Sequence, residues 1–152
     1  MTHVSSGRQQ YIKRALQEAQ AVCDERGSRF TRLRKRVFEL ILARPEPVKA
    51  YDLLSDLQKE DQSAKPSTIY RTLDFLLELG LVHKIHRQNA YVGCMDPKEE
   101  QPCFFLVCNS CNSVTEKHDK EYLKLIKNIS KRYQFKLNDT SFEIEGLCNN
   151  CI

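Results

Sequence analysis

The sequence has no apolar run approaching the about eighteen residues that a helix needs to cross a bilayer. Its first twenty residues carry no apolar core of a secretory leader. It has no internal repeat and no low-complexity tract. It also lacks the low hydrophobicity of a disordered chain, since 41% of its residues are hydrophobic and 29% charged. These absences exclude helical membrane proteins, repeat arrays and disordered tails. What is left is a globular chain of 152 residues, expected in the cytoplasm and long enough for one ordinary domain or two small ones.

Arginine is scarce in the second part of the chain. Ten of the eleven arginines precede residue 93, and only Arg132 follows it. Residues 1–92 carry 16 Lys+Arg against 11 Asp+Glu, and residues 93–152 carry 8 against 9, so the net charge of +4 is gathered in the first part. Guanidinium matches phosphate and guanine geometry better than ammonium does, which points to an anionic partner for that part. Seven cysteines in a reducing compartment argue against a disulfide scaffold and for metal or redox chemistry. Four of them lie between Cys94 and Cys111, and a second C-x-x-C, Cys148 to Cys151, stands near the C-terminal end.

Along residues 8–26, Ile12, Ala15, Leu16, Ala19, Val22 and Cys23 recur at helical spacing before Gly27, which predicts a helix with Cys23 on its buried stripe. Thr31 is placed to cap a second helix that buries Leu33, Val37, Leu40 and Ile41 and stops before Pro45. A third is expected over about residues 49–62, with Leu53, Leu54 and Leu57 inward. Pro66 opens a fourth, capped by Ser67 or Thr68, with Ile69, Leu73, Leu76 and Leu77 inward and Gly80 at its end. Residues 81–86 and 90–92 then read as a β-hairpin. Helices followed directly by a hairpin are the order of a winged helix-turn-helix. After a polar linker at residues 97–102 come strands at 104–107 and 113–117, a helix at 119–133, and strands at 135–137 and 141–145. The expected class is α+β: an N-terminal winged helix-turn-helix domain over residues 1–92, a hinge over 93–103, and a small α/β domain over 104–152. So short a second domain buries little surface alone and needs a metal, a partner chain or both.

The chemistry concentrates in three places. Cys108-x-x-Cys111 and Cys148-x-x-Cys151 supply four thiolates as two close pairs, the set that structural zinc prefers. A redox dithiol fits less well, because neither pair opens a helix that would lower a thiol's pKa. His83, Cys94, Cys103, Glu116 and His118 remain, all close to the domain boundary. Singly, His83 fits a packing residue and Glu116 with Lys117 a solvated edge. Jointly, nitrogen, sulfur and carboxylate suit zinc, and two sulfurs disfavour manganese or magnesium. Ligands drawn from both domains would let metal occupancy control conformation. The third place is the outward N-terminal face of the fourth helix, with Ser67, Thr68, Tyr70, Arg71 and Asp74, where helix-turn-helix proteins reach base edges.

Ala50-Tyr51-Asp-Leu-Leu, Lys65-Pro66-Ser-Thr-Ile-Tyr70-Arg71, Gly80-Leu-Val-His83-Lys and the paired C-x-x-C motifs together resemble the ferric uptake regulator family from about residue 10 onward, and within it the zinc-uptake branch. The iron branch usually carries a His-His-x-His run where residues 101–105 here read Gln-Pro-Cys-Phe-Phe. The resemblance implies that Cys108, Cys111, Cys148 and Cys151 hold a structural zinc and that His83, Cys94 and Glu116 hold a regulatory one, giving two Zn2+ per chain. The family's remaining regulatory ligand is a histidine between Cys94 and Cys108, which this chain lacks; Cys103 takes its place, with His118, Glu99 and Glu100 as alternatives. Phe30-Thr31-Arg32 stands where the family usually has Leu-Thr-Pro. Tyr51, Tyr70 and Arg71 match positions associated with DNA contact. The implied molecule is a homodimeric, non-enzymatic repressor of zinc-uptake genes, acting on double-stranded DNA at an AT-rich inverted repeat, with no membrane and no small-molecule substrate. The alternative is an iron- or peroxide-responsive regulator of the same family.

Overall fold

The apolar spacing of the first ninety or so residues builds four helices, α1 (Ser6–Glu25), α2 (Arg32–Leu42), α3 (Ala50–Gln58) and α4 (Pro66–Glu78), and then a hairpin of β1 (Val82–Ile85) and β2 (Ala90–Gly93). The computed structural model describes residues 6–97, 103–137 and 142–152. The chain divides into two compact units, Met1–Pro97 and Lys98–Ile152.

In the first unit the helical stripes converge on Ala19, Cys23, Val37, Phe38, Leu53, Leu73, Leu76 and Leu81, all fully buried. Cys23 is a core residue, and burial pushes its thiol pKa up. Thr31 caps α2 by accepting the Arg34 N–H. Gly27 and Gly80 adopt φ of +64° and +69°, the left-handed region that glycine enters without steric cost. After Gly80 the Leu81 N–H donates to the Leu76 carbonyl at 2.9 Å, which closes α4 and turns the chain straight into β1. A bridge between Val48 and Tyr91, 2.9 and 2.8 Å in its two hydrogen bonds, ties the α2–α3 connection to β2. Helices and hairpin thus form the expected winged helix-turn-helix.

Two local expectations fail here. Ser67 and Thr68 do not cap α4: Lys65 is the N-cap and Pro66 takes the first helical position, where its fixed φ fits and its missing N–H costs nothing. The third helix ends at Gln58 rather than near residue 62. The Asp61 carboxylate accepts the Ser63 N–H and hydroxyl at 2.9 and 2.6 Å, a local turn that competes with helix.

In the second unit β3 (Cys103–Cys108) lies between β4 (Val114–His118), which is antiparallel to it, and β5 (Phe142–Gly146), which is parallel. The crossover to β5 carries α5 (Lys120–Arg132), capped by Asp119, whose carboxylate accepts the N–H groups of Glu121 and Tyr122. Tyr122 packs its ring 4.8 Å from Phe104 and 6.0 Å from Phe142, seating α5 on one face of the sheet. The strand expected at 135–137 is absent. Gln134 turns left-handed, with φ +49°, and the Phe135 N–H closes the helix onto the Ser130 carbonyl at 3.0 Å, so this segment serves as a helix stop. Residue 141, expected to open the last strand, lies outside the described residues. Among the described residues no helix is long and apolar enough to cross a membrane.

Candidate metal centres and nucleic-acid interface

The sulfur quartet forms where β3 ends. Cys108 accepts the Asn112 N–H at its carbonyl, and its own N–H donates to the Ser113 carbonyl, both at 3.0 Å. Asn112 adopts φ +59°, so the Cys108–Cys111 turn is tight. Parallel pairing sets Cys108 opposite Gly146, and the Asn109 N–H donates to the Gly146 carbonyl at 2.8 Å, which delivers Cys148 to the same place. A second tight turn there bonds the Cys151 N–H to the Cys148 carbonyl at 2.8 Å.

All four sulfurs lie within 4.8 Å of one another, with Cys111 and Cys148 3.7 Å apart. Four sulfurs about 2.3 Å from a zinc ion form a tetrahedron with edges of about 3.8 Å. Donor type, number and spacing therefore fit a closed four-coordinate zinc. The backbone prepares the charge as well: N–H groups of Cys111 and Cys148 aimed at the Cys108 sulfur bring its pKa to about 6. Cys111 is lowered chiefly by the Ser113 hydroxyl. Cys151 rises to about 12: Ser110 lowers it, but the adjacent Cys148 and Cys111 thiols outweigh that. Some of the four thus ionise readily, and a divalent cation would supply what the last needs to lose its proton.

The remaining ligand candidates fall in both units. In the first, His83 is half-buried on β1 opposite Val92. Cys94 is buried just past β2, its N–H bonded to the Leu81 carbonyl at 2.9 Å, so both stand at the base of the hairpin. In the second, Cys103 is the first residue of β3, buried, and in register with His118, while Phe105 pairs with Glu116. Side chains alternate along a strand, so Cys103, Glu116 and His118 share one face of the β3–β4 ladder. The Glu116 side chain is 5% exposed, and its Oε1 lies 3.0 Å from His118 Nε2. Imidazole, thiolate and carboxylate are a donor set that suits zinc. Glu99 and Glu100 lie outside the described residues.

The outward face of α4 carries Ser67, Tyr70 and Arg71 exposed and Thr68 half-buried at its N-terminal end, while Ile69, Leu73 and Leu76 point into the core. Tyr51, in the first turn of α3, is 79% exposed, an unusual setting for so large a ring. Burial first, and then neighbouring Tyr70 and Asp74, raise the pKa of Tyr91, which places the hairpin beside the outward face of α4. Several arginines of the first unit serve the fold. Arg36 pairs with Glu60 and Glu39, Arg44 with Asp56, Arg34 stacks 3.6 Å over the Phe75 ring, and Arg8 donates to the Leu42 carbonyl.

Two features escaped sequence reasoning. Thr72 is buried in α4, its hydroxyl donating to the Thr68 carbonyl. Gly93, next to Cys94, packs so closely that a Cβ there would stand 2.5 Å from Leu42 Cδ2. A glycine at a strand end is a sequence sign of such close approach.

The sequence model of the Ferric uptake regulator family matches residues 25–145. The zinc uptake regulation protein of Escherichia coli strain K12 is 34% identical over 139 residues, covering 90% of this chain and 81% of that protein. The zinc uptake regulation protein of Mycobacterium tuberculosis is 28% identical, over 82% of this chain and 95% of its own. Among solved structures, a zinc uptake regulator complexed with zinc and DNA matches with a TM-score of 0.85 and 32% identity, covering 91% of this chain and 93% of the other. Holo XcZur matches with a TM-score of 0.79 and 36% identity, covering 89% and 94%. A family match across most of the chain, joined to this identity over nine-tenths of it, identifies the chain as a member of the ferric uptake regulator family.

Proposed function

We propose that this chain is a zinc-responsive repressor that binds double-stranded DNA as a homodimer and shuts off genes for zinc uptake. The observation that carries the reading is a second set of nitrogen, sulfur and carboxylate donors, separate from the sulfur quartet, in a chain that also exposes the N-terminal face of α4. A protein that needed zinc only to fold would need the quartet alone. The similarity to zinc uptake regulation proteins and to a regulator solved with zinc and DNA supports the same reading.

Each chain takes two zinc ions. Cys108, Cys111, Cys148 and Cys151 hold the structural one, and His83, Cys94, Cys103 and Glu116 the regulatory one. With every position filled by protein, neither centre has the open coordination site that metal-assisted hydrolysis requires, and the protein is not an enzyme. Zinc supplies a centre that gathers four protein donors into a tetrahedron. His83 and Cys94 come from the first unit and Cys103 and Glu116 from the second, so holding all four at once restricts the spacings available to a dimer's reading helices and raises the population that fits DNA. Arg71 reads guanine N7 and O6 or a phosphate, Tyr70 stacks on a thymine methyl, and Ser67, Thr68 and Tyr51 contact the backbone of an AT-rich inverted repeat. Exposed Leu106, Phe142, Ile144 and Leu147 on the second unit support burial against a second copy. The protein acts in the cytoplasm.

The test is operator binding followed by fluorescence anisotropy while free zinc is varied. Binding that rises with zinc and falls on chelation is expected. Binding that follows ferrous iron or peroxide and ignores zinc overturns the reading in favour of the iron- or peroxide-responsive alternative.

A further inference from the structure

We propose that His118 is a positioning residue that reserves one oxygen of Glu116 and thereby limits that carboxylate to a single coordination position. The proposal rests on the reading of Glu116 as a regulatory ligand. Glu116 and His118 are two residues apart on β4, so their side chains leave the same face of the strand, and His118 Nε2 stands 3.0 Å from Glu116 Oε1. An ionised carboxylate only accepts hydrogen bonds, so the imidazole nitrogen facing it carries the hydrogen and donates. That nitrogen has no lone pair to offer a metal. His118 therefore stands outside the coordination shell and acts through Glu116.

A carboxylate with both oxygens free can bind one ion through two positions and open the site to five-coordination. With Oε1 committed to His118, Oε2 alone remains, and with three other donors the site closes at four. Four-coordination suits zinc, whereas manganese and ferrous iron favour larger oxygen-rich shells. His118 is also the register partner of Cys103, so one imidazole flanks both donors that the second unit contributes. Metal preference is thus set partly by a residue that touches no metal, as is common for the partners of metal ligands.

The experiment compares wild type, His118→Ala and His118→Gln as intact chains. Metal content is measured per chain, zinc affinity by chelator competition, and coordination by the visible absorption of the cobalt(II)-loaded regulatory site, which is intense for four-coordinate cobalt and weak at higher coordination. In His118→Ala, two metals per chain are expected, with zinc affinity lowered by about 10–100-fold, a weakened cobalt band and a smaller preference for zinc over manganese. His118→Gln, which keeps an N–H donor, should recover most of the cobalt band. A His118→Ala chain holding one metal overturns the proposal, because His118 would then be a ligand. An unchanged spectrum and affinity also overturn it, because the pair would serve only the fold. A wild-type chain holding one metal defeats the regulatory-site reading itself, and the proposal with it.

Discussion

Replacing Cys148 by serine should unfold the second unit and leave the first standing. Among the described residues of that unit the large apolar side chains that are fully buried are Phe105, Val107 and Ile126. At about 1.5–3 kcal/mol each they contribute on the order of 5–9 kcal/mol. A structural zinc contributes about 10–16 kcal/mol of apparent binding free energy at neutral pH, more than that core. Serine offers a shorter, neutral hydroxyl, and Cys148 also sends its N–H to the Cys108 sulfur at 3.4 Å, so the lesion reaches both pairs. The expected outcome is a loss of one zinc per chain, collapse of the β3–β5 and α5 signals in an NMR spectrum at 25 °C, and a monomer by sedimentation. The first unit, whose core includes Phe38, Ile41, Leu53, Leu73 and Leu76, should keep its dispersed spectrum and its own melting transition. A variant that retained wild-type zinc content and an intact second unit would refute the claim that the metal outweighs the apolar core.

The other predictions separate the remaining roles. Cys103→Ser should melt like wild type and keep the structural zinc while DNA binding no longer responds to zinc; an unaltered zinc response would remove Cys103 from the regulatory site. Arg71→Ala should weaken operator binding by about 1–3 kcal/mol in an anisotropy titration; an equal loss on random duplex would reduce Arg71 to a phosphate contact. Gly93→Ala should destabilise the first unit by about 1–3 kcal/mol in urea, because its methyl meets Leu42 Cδ2 at 2.5 Å. Combined with Leu42→Ala, the two changes should cost less together than their sum; strict additivity would show that the contact relaxes elsewhere.

What the sequence made legible was local. The stripes of α1 and α4, the Thr31 cap and the glycine stops at Gly27 and Gly80 each depend on residues within a turn or two of one another, and each stands in the structure as expected. The misses were local contests that hydrophobic spacing does not decide. Asp61 drew Ser63 into a turn, Pro66 displaced Ser67 and Thr68 from the cap, and Gln134 entered the left-handed region that more often falls to glycine or asparagine. In the site, C-x-x-C spacing announced each sulfur pair. The gathering of the pairs depended on β3 and β5 lying side by side and parallel, a pairing between residues some forty positions apart. Likewise, that Cys103, Glu116 and His118 share a face is a matter of register, and a slip of one residue would turn Glu116 and His118 to the other side.

That register explains how one thin sheet can serve two metals without confusing them. Cys103 opens β3 and Cys108 closes it, five residues apart, or roughly 17 Å along an extended strand. Five is odd, so the two side chains leave opposite faces. On the face of Cys108 lie Phe104, Leu106 and Ile144, the α5 side and the proposed partner-facing side; on the face of Cys103 lie Phe105, Val107 and Glu116. A structural centre that holds β5 to β3 therefore sits at the far end and on the far side from the donors assigned to sensing. Filling or emptying the sensing site leaves the sulfur quartet and its strand pairing untouched, which a sensor requires if it is to lose its signal metal without losing its fold. The same strand also explains why so few apolar side chains suffice: its ends are held by ligand geometry, and only its middle, at Phe105 and Val107, is left for ordinary packing.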